Sequence, residues 1–207
     1  EEPIGDRIGD HPIHLFGHGP VARADATLDV RHLDAHLARD DGTGHRRGHV
    51  ADDEAHAVAL AKQYLKAPLE TSVNGYLINT GAKLVLIDAG AAGLFGPTLG
   101  RLVKNLEASG YKPEQVDEIY VTHLHADHVA GITSADGKMV FPNATVRLDA
   151  KESGYWLSQA NADKAPKEMQ DAFKGAMLSM KPYVDAGRAT TFDGDTDLAP
   201  GLRAPAP

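Results

Sequence analysis

From Glu54 onward the apolar positions of this 207-residue chain recur at regular spacings. Val58, Leu60, Ala61 and Leu65 suit a helix that stops before Pro68. Val73 to Asn79 and Lys83 to Asp88 are apolar, β-branched runs on either side of Thr80-Gly81, which predicts a hairpin. Leu99, Leu102, Val103 and Leu106 recur at i, i+3, i+4 and i+7, predicting a helix with Pro97 in its first turn and Gly110 at its close. Ile119 to Thr122 reads as a strand, and a helix is expected from about Asp127. A strand over Ala144 to Leu148 and a short helix over Lys151 to Gln159 follow. Met169, Phe173, Met177 and Met180 then share one face of a longer helix, where methionine serves as core packing. Strands alternating with helices give an α/β layered domain.

The first 53 residues do not share this order and are expected to form an atypical His-, Asp- and Arg-rich arm, with the regular domain spanning 54–207. Eight of the eleven histidines precede Ala57, and Asp40 to Gly48 reads as loop. Leu28, Val30, Leu33 and Leu37 allow only a short amphipathic stretch. A His-rich tract can bind metal loosely, but nothing in this spacing recommends specific chemistry.

Composition narrows the function. A formal net charge of −8 argues against a nucleic-acid partner, which calls for a basic face. No apolar run approaches the roughly 18 residues of a membrane span. With no cysteine, neither disulfides nor thiolate metal sites are available. The chain opens on Glu1 without a leader pattern, so the expectation is a processed protein or a fragment.

The candidate chemistry lies in Thr122-His123-Leu124-His125-Ala126-Asp127-His128, directly after an apolar strand. Three imidazoles and a carboxylate are ligands that zinc and its neighbours accept readily. In an extended segment His123 and His125 point to the same side. Both can reach one ion, while Asp127 and His128, where the chain turns into the next helix, can reach a second.

This H-x-H-x-D-H segment resembles the signature of the metallo-β-lactamase fold, a four-layered αββα sandwich. Lys66 to Val73, Gly75-Tyr76-Leu77, Gly90 to Gly100, Pro113 to Tyr120, Phe141 to Ala144 and Trp156 to Gln159 are similar to methyl parathion hydrolases and their near relatives. The similarity runs from about Lys66 to Gly201. It implies a two-metal centre with His123 and His125 on one ion and Asp127 and His128 on the other, Asp127 being catalytic as well as a ligand. Asp88 matches an acidic residue that orients a ligand from behind, and Phe95 and Trp156 match aromatic residues lining a substrate pocket. The family's proline between His and Asp is Ala126 here. Its further ligands, a histidine, a bridging aspartate and a last histidine, would fall beyond Pro207, so the C-terminal half of the sandwich is expected to be missing from these residues.

The activity so implied is hydrolysis of a small-molecule phosphotriester with a phenolate leaving group, using water activated by two divalent ions. Zinc is the expected metal, with manganese, cobalt or iron also suited to imidazole and carboxylate donors. Alternatives are a lactonase or other ester or amide hydrolase on the same centre, or a catalytically silent fragment. A homodimer and a periplasmic or secreted location are implied by the same resemblance.

Overall fold

The computed structural model describes residues 29–32, 36–40, 57–64, 69–199 and 201–204. A helix, α1, covers 57–62. The expected hairpin is built by β4 (Tyr76–Asn79) and β5 (Leu84–Ile87), antiparallel with Tyr76 opposite Ile87. Gly81 holds φ +81° in its turn, a left-handed conformation open to glycine. Beyond β5 the strands run parallel: β6 (Glu118–Tyr120), β7 (Thr145–Asp149) and β8 (Ala189–Phe192). Helices fill each crossover: α2 (Leu102–Ala108) before β6, α3 (Ala126–Val129) before β7, and α4 (Ala150–Trp156), α5 (Gln159–Lys164) and α6 (Lys167–Asp185) before β8. With β1 (Asp29–His32) paired antiparallel to β4, the mixed sheet runs β1-β4-β5-β6-β7-β8. Two small antiparallel sheets join β2 (His36–Asp40) to β3 (Leu69–Val73) and β9 (Thr196–Ala199) to β10 (Leu202–Ala204).

The central strands β5 and β6 are buried on both faces. Leu77, Leu86, Ile119 and Val146 belong to one core with Leu106 of α2, Val129 of α3 and Phe173, Met180 and Tyr183 of α6. Ile78, Val85, Ile87 and Tyr120 form a second core with Leu198 and Leu202 of the β9–β10 hairpin. This explains the unbroken apolar run Leu84-Val85-Leu86-Ile87, since strands covered on both sides have no polar face to present. Helices, mixed sheet and a further strand layer are thus stacked in the order expected of the sandwich.

Several boundaries differ from the sequence reading. α2 begins at Leu102 and not at Pro97, because Gly100 takes φ +77°, which no helix accommodates. Pro97 instead lies in a turn closed by the Leu99 amide on the Gly96 carbonyl. The helix does end as expected: Gly110 takes φ +87° and the Tyr111 amide reaches back to the Leu106 carbonyl at 3.2 Å. The single helix expected over Lys151 to Gln159 is two, broken at Leu157-Ser158, where the Ser158 hydroxyl caps α5. The face of Met169, Phe173, Met177 and Met180 does pack into the helix-side core. β8, β9 and β10 hold only one large apolar residue each, Phe192, Leu198 and Leu202, so no apolar run announces them. Residues 29–32 and 36–40, expected to be irregular or weakly amphipathic, are strands paired to the domain. The rest of the expected 1–53 arm lies outside the described residues.

One carboxylate is built into the second core. Glu118, 8% exposed, bonds through its carboxylate to the Lys83 ammonium and the Tyr120 hydroxyl, with Arg147 Nη1 3.6 Å from Oε2. The Tyr120 hydroxyl also lies 2.9 Å from the Leu198 carbonyl, so the network reaches from the sheet to β9. Burial alone would raise the Glu118 pKa, but Lys83, Tyr120 and Arg147 together hold it below the usual carboxylate range. A carboxyl depressed on folding stabilises the fold above its unfolded value of 4.5, and that contribution is lost as pH falls through the lower folded value. Glu118→Gln is therefore expected to cost about 1–3 kcal/mol near neutral pH. In urea unfolding across pH, the gap to wild type should close progressively below pH 4.5.

Candidate metal centre

The H-x-H-x-D-H segment leaves the sheet at the end of β6, beside the end of β5, so two parallel strand ends deliver its residues to one edge. Asp88 follows β5 with φ +54°, a left-handed conformation that aspartate tolerates better than most residues. That turn aims its buried carboxylate across to the neighbouring strand exit. Oδ1 accepts from the Thr122 amide at 2.8 Å, and Oδ2 accepts from the Thr122 hydroxyl at 2.8 Å and from His128 Nδ1 at 2.7 Å. With Nδ1–H donated to Asp88, His128 presents Nε2 outward. Backbone bonds lock the same junction: the Ala89 amide to the His128 carbonyl at 2.8 Å and the Gly131 amide to the Gly90 carbonyl at 3.0 Å.

The donors come as two pairs. His123 Nε2 and His125 Nδ1 are 3.1 Å apart, and His128 Nε2 and Asp127 Oδ2 are 3.4 Å apart. The rings of His123 and His128, one from each pair, have centroids 4.0 Å apart. Among the described residues no three His, Asp or Glu side chains are already gathered about one point. The spacing within each pair nevertheless suits a shared ion: two ligands about 2.0–2.2 Å from a tetrahedral cation sit roughly 3.3 Å apart. His123, His125, Asp127 and His128 could therefore hold two cations between them, with further ligands needed to close each coordination shell.

Without a cation the two pairs differ electrostatically. Burial alone would depress His128, but the Asp127 and Asp88 carboxylates push its pKa up to about 10. The His128 bond in turn holds Asp127 below the usual carboxylate range. His123 is shifted down by burial and then by the neighbouring His128 and His125, which favours the neutral imidazole that coordinates metal.

The structure thus joins five of the residues singled out in the sequence: Asp88, His123, His125, Asp127 and His128. Trp156 is brought in as well, though not as an open pocket wall. It is 7% exposed, stands edge-on to the His125 ring at 5.3 Å and rests on Phe173. Phe95 is not among the side chains joined by these contacts; it stands 57% exposed beside Leu94 on the turn 92–95. Two participants escaped the sequence reading. Thr122 links Asp88 to His123, its hydroxyl 3.1 Å from His123 Nδ1, and its adjacency to the cluster was the available signal. Glu152 accepts from the Leu124 amide at 3.0 Å from 28 residues away, and no local pattern could disclose that.

Comparison with known proteins agrees with this architecture. The chain spans 40% of the length of the curated relatives it matches: it is 34% identical over 131 residues, 62% of this chain, to the exodeoxyribonuclease WalJ of Streptococcus pneumoniae. Among solved structures, a hydrolase of the beta-lactamase superfamily, AbOPH, is 34% identical with a TM-score of 0.70, covering 88% of this chain and 67% of that one. The dizinc quorum-quenching lactonase AidC shares the fold with a TM-score of 0.66 at 20% identity, over 88% of this chain and 67% of its own. The family model of the metallo-beta-lactamase superfamily matches residues 69–206, from β3 through β10. On that match, which takes in two thirds of the chain, the protein belongs to the metallo-beta-lactamase superfamily.

Proposed function

We propose that the protein is a dinuclear metallohydrolase that cleaves aryl phosphotriesters, releasing a phenolate. The observation that carries the metal reading is the spacing within the two donor pairs, 3.1 Å for His123 and His125 and 3.4 Å for Asp127 and His128, each suited to a shared ion. Zinc is the expected ion for these ligands. When bound, two such ions supply Lewis acidity and lower the pKa of water.

The chain's own residues prepare the site for that chemistry. Asp88 orients His128 by holding its Nδ1 proton. Asp127 brings the carboxylate to the second pair and is assigned the catalytic role there. A phenolate departs without strong acid assistance, so no further general acid is required. The substrate class rests on the stretches similar to methyl parathion hydrolases, and the exposed Leu94 and Phe95 suit a neutral, apolar aryl ester. The net charge of −8 disfavours a polyanionic substrate such as DNA.

The test is a substrate panel on zinc-loaded protein, comparing kcat/KM for dialkyl aryl phosphotriesters with that for N-acyl homoserine lactones. The expected result is a preference for the phosphotriesters, with two ions per chain retained on dialysis. A preference for lactones by several orders of magnitude overturns the substrate assignment.

A further inference from the structure

Helix α4 touches the ligand segment twice, one turn apart. Its N-cap is Asp149, whose carboxylate accepts from the Lys151 amide at 2.7 Å. Glu152 then occupies the third helical position, where a glutamate commonly folds back onto its own N-cap backbone. Here Oε2 is instead committed to the Leu124 amide, the peptide between His123 and His125. Leu124 is 1% exposed, its side chain packed into the helix-side core. The peptide is thus held by its side chain on one side and by its amide on another, and alternation turns both neighbouring imidazoles the opposite way. One turn further along α4, Trp156 meets the His125 ring edge-on at 5.3 Å with an interplanar angle of 81°. Trp156 is itself backed by Phe173 at 4.7 Å and Tyr155 at 5.2 Å. His125 is otherwise the most solvent-exposed of the three imidazoles and has two free side-chain torsions to order.

We propose that Glu152 and Trp156 form a two-point clamp by which α4 positions the His123–His125 pair, and only that pair, for its ion. The second pair has no contact with α4 among these and is held by Asp88 through its bond to His128, while Asp88 also reaches His123 by way of the Thr122 hydroxyl. Glu152 is therefore a positioning residue, and so is Trp156, whose burial against His125 leaves it little surface to offer a substrate. The proposal rests on reading His123 and His125 as metal donors, and its test separates the two ideas.

Glu152→Ala, Glu152→Gln and wild type are compared first without metal, by nuclear magnetic resonance. In Glu152→Ala the Leu124 amide should exchange at least about tenfold faster, and cross-relaxation between the His125 and Trp156 rings should weaken. Glu152→Gln retains a carbonyl acceptor and should stay near wild type. Zinc titration of the same proteins should then show one of two equivalents bound about 10–100-fold more weakly in Glu152→Ala, the range for a group that orients a ligand, with the other unchanged. Unaltered Leu124 exchange, ring contacts and zinc affinity in Glu152→Ala overturn the clamp, and so does equal weakening of both equivalents. If Glu152→Ala does not fold, Glu152→Asp keeps the charge, falls short of the Leu124 amide and gives the same readouts. A wild-type chain that takes up no zinc defeats the metal reading, while the metal-free spectra still decide the clamp.

Discussion

If the protein is the dinuclear phosphotriester hydrolase we propose, Asp127→Ala and His128→Ala are each expected to lose one of two bound ions and to lower aryl phosphotriester hydrolysis by about 10³-fold or more, several kcal/mol of transition-state stabilisation. The reasoning starts from the second pair. Asp127 Oδ2 and His128 Nε2 stand 3.4 Å apart at the start of α3, and each depends electrostatically on the other: the carboxylate raises the imidazole pKa and the imidazole lowers the carboxylate's. Removing either halves the donors that this segment offers the second ion, which further ligands must already complete. The first pair keeps its 3.1 Å spacing, so the remaining ion should stay. Asp88→Asn provides the graded comparison. Asparagine tolerates the left-handed backbone at φ +54°, so the substitution removes charge without adding strain. Its amide cannot accept from the Thr122 hydroxyl and His128 as a carboxylate does, and metal affinity is expected to fall about 10–100-fold. Metal content by mass spectrometry together with kcat decides both cases. Full ion occupancy and unchanged turnover in Asp127→Ala would overturn the assignment of the second pair.

Gly131→Ala is expected to destabilise the protein by about 3 kcal/mol or more, well beyond the effect of an ordinary surface substitution. A Cβ at this position would meet the Ala89 carbonyl oxygen at 1.9 Å and its carbon at 2.9 Å. Both contacts are backbone, and that backbone cannot withdraw: Ala89 is tied to the His128 carbonyl, and the Gly131 amide itself bonds Gly90. The added methyl must therefore pry the β5 exit away from α3. Asp88 moves with the first and His128 with the second, so the 2.7 Å bond that orients the imidazole should fail too. Gly175→Ala is the control. It lies within α6 with nothing within 4 Å of its would-be Cβ, and there alanine should stabilise by up to about 1 kcal/mol. Urea unfolding measures both. A Gly131→Ala variant as stable as wild type would show that the two strand exits are not packed as described.

The legibility of the sequence varied with the range of the forces at work. β7 and α6 are visible because each repeats apolar residues at its own period, and β4, β5 and β6 because they lie in short apolar runs bounded by turn residues, both of them local properties. The start of α2 is not visible locally, because Gly100 breaks the helix by taking a left-handed φ and its Cβ-free backbone lies close to Ala92, a contact from outside the helix. β9 and β10 each offer one large apolar residue, Leu198 and Leu202, and only the core that these complete against Ile78 and Tyr120 defines the strands.

The order of residues in the H-x-H-x-D-H segment determined by itself which side chains could bind metal, and strand alternation determined that His123 and His125 share a side. It also placed Asp88 at a strand end. Only the tertiary structure decided that the Asp88 carboxylate would reach Thr122 and His128, 34 and 40 residues along the chain, and that Glu152 would hold the Leu124 amide. The reason is physical. Which donors exist, and which way alternate side chains point, are properties of a few consecutive residues. Which tautomer and rotamer each imidazole keeps depends on partners that only the parallel pairing of β5, β6 and β7 and the packing of α4 bring within hydrogen-bonding distance.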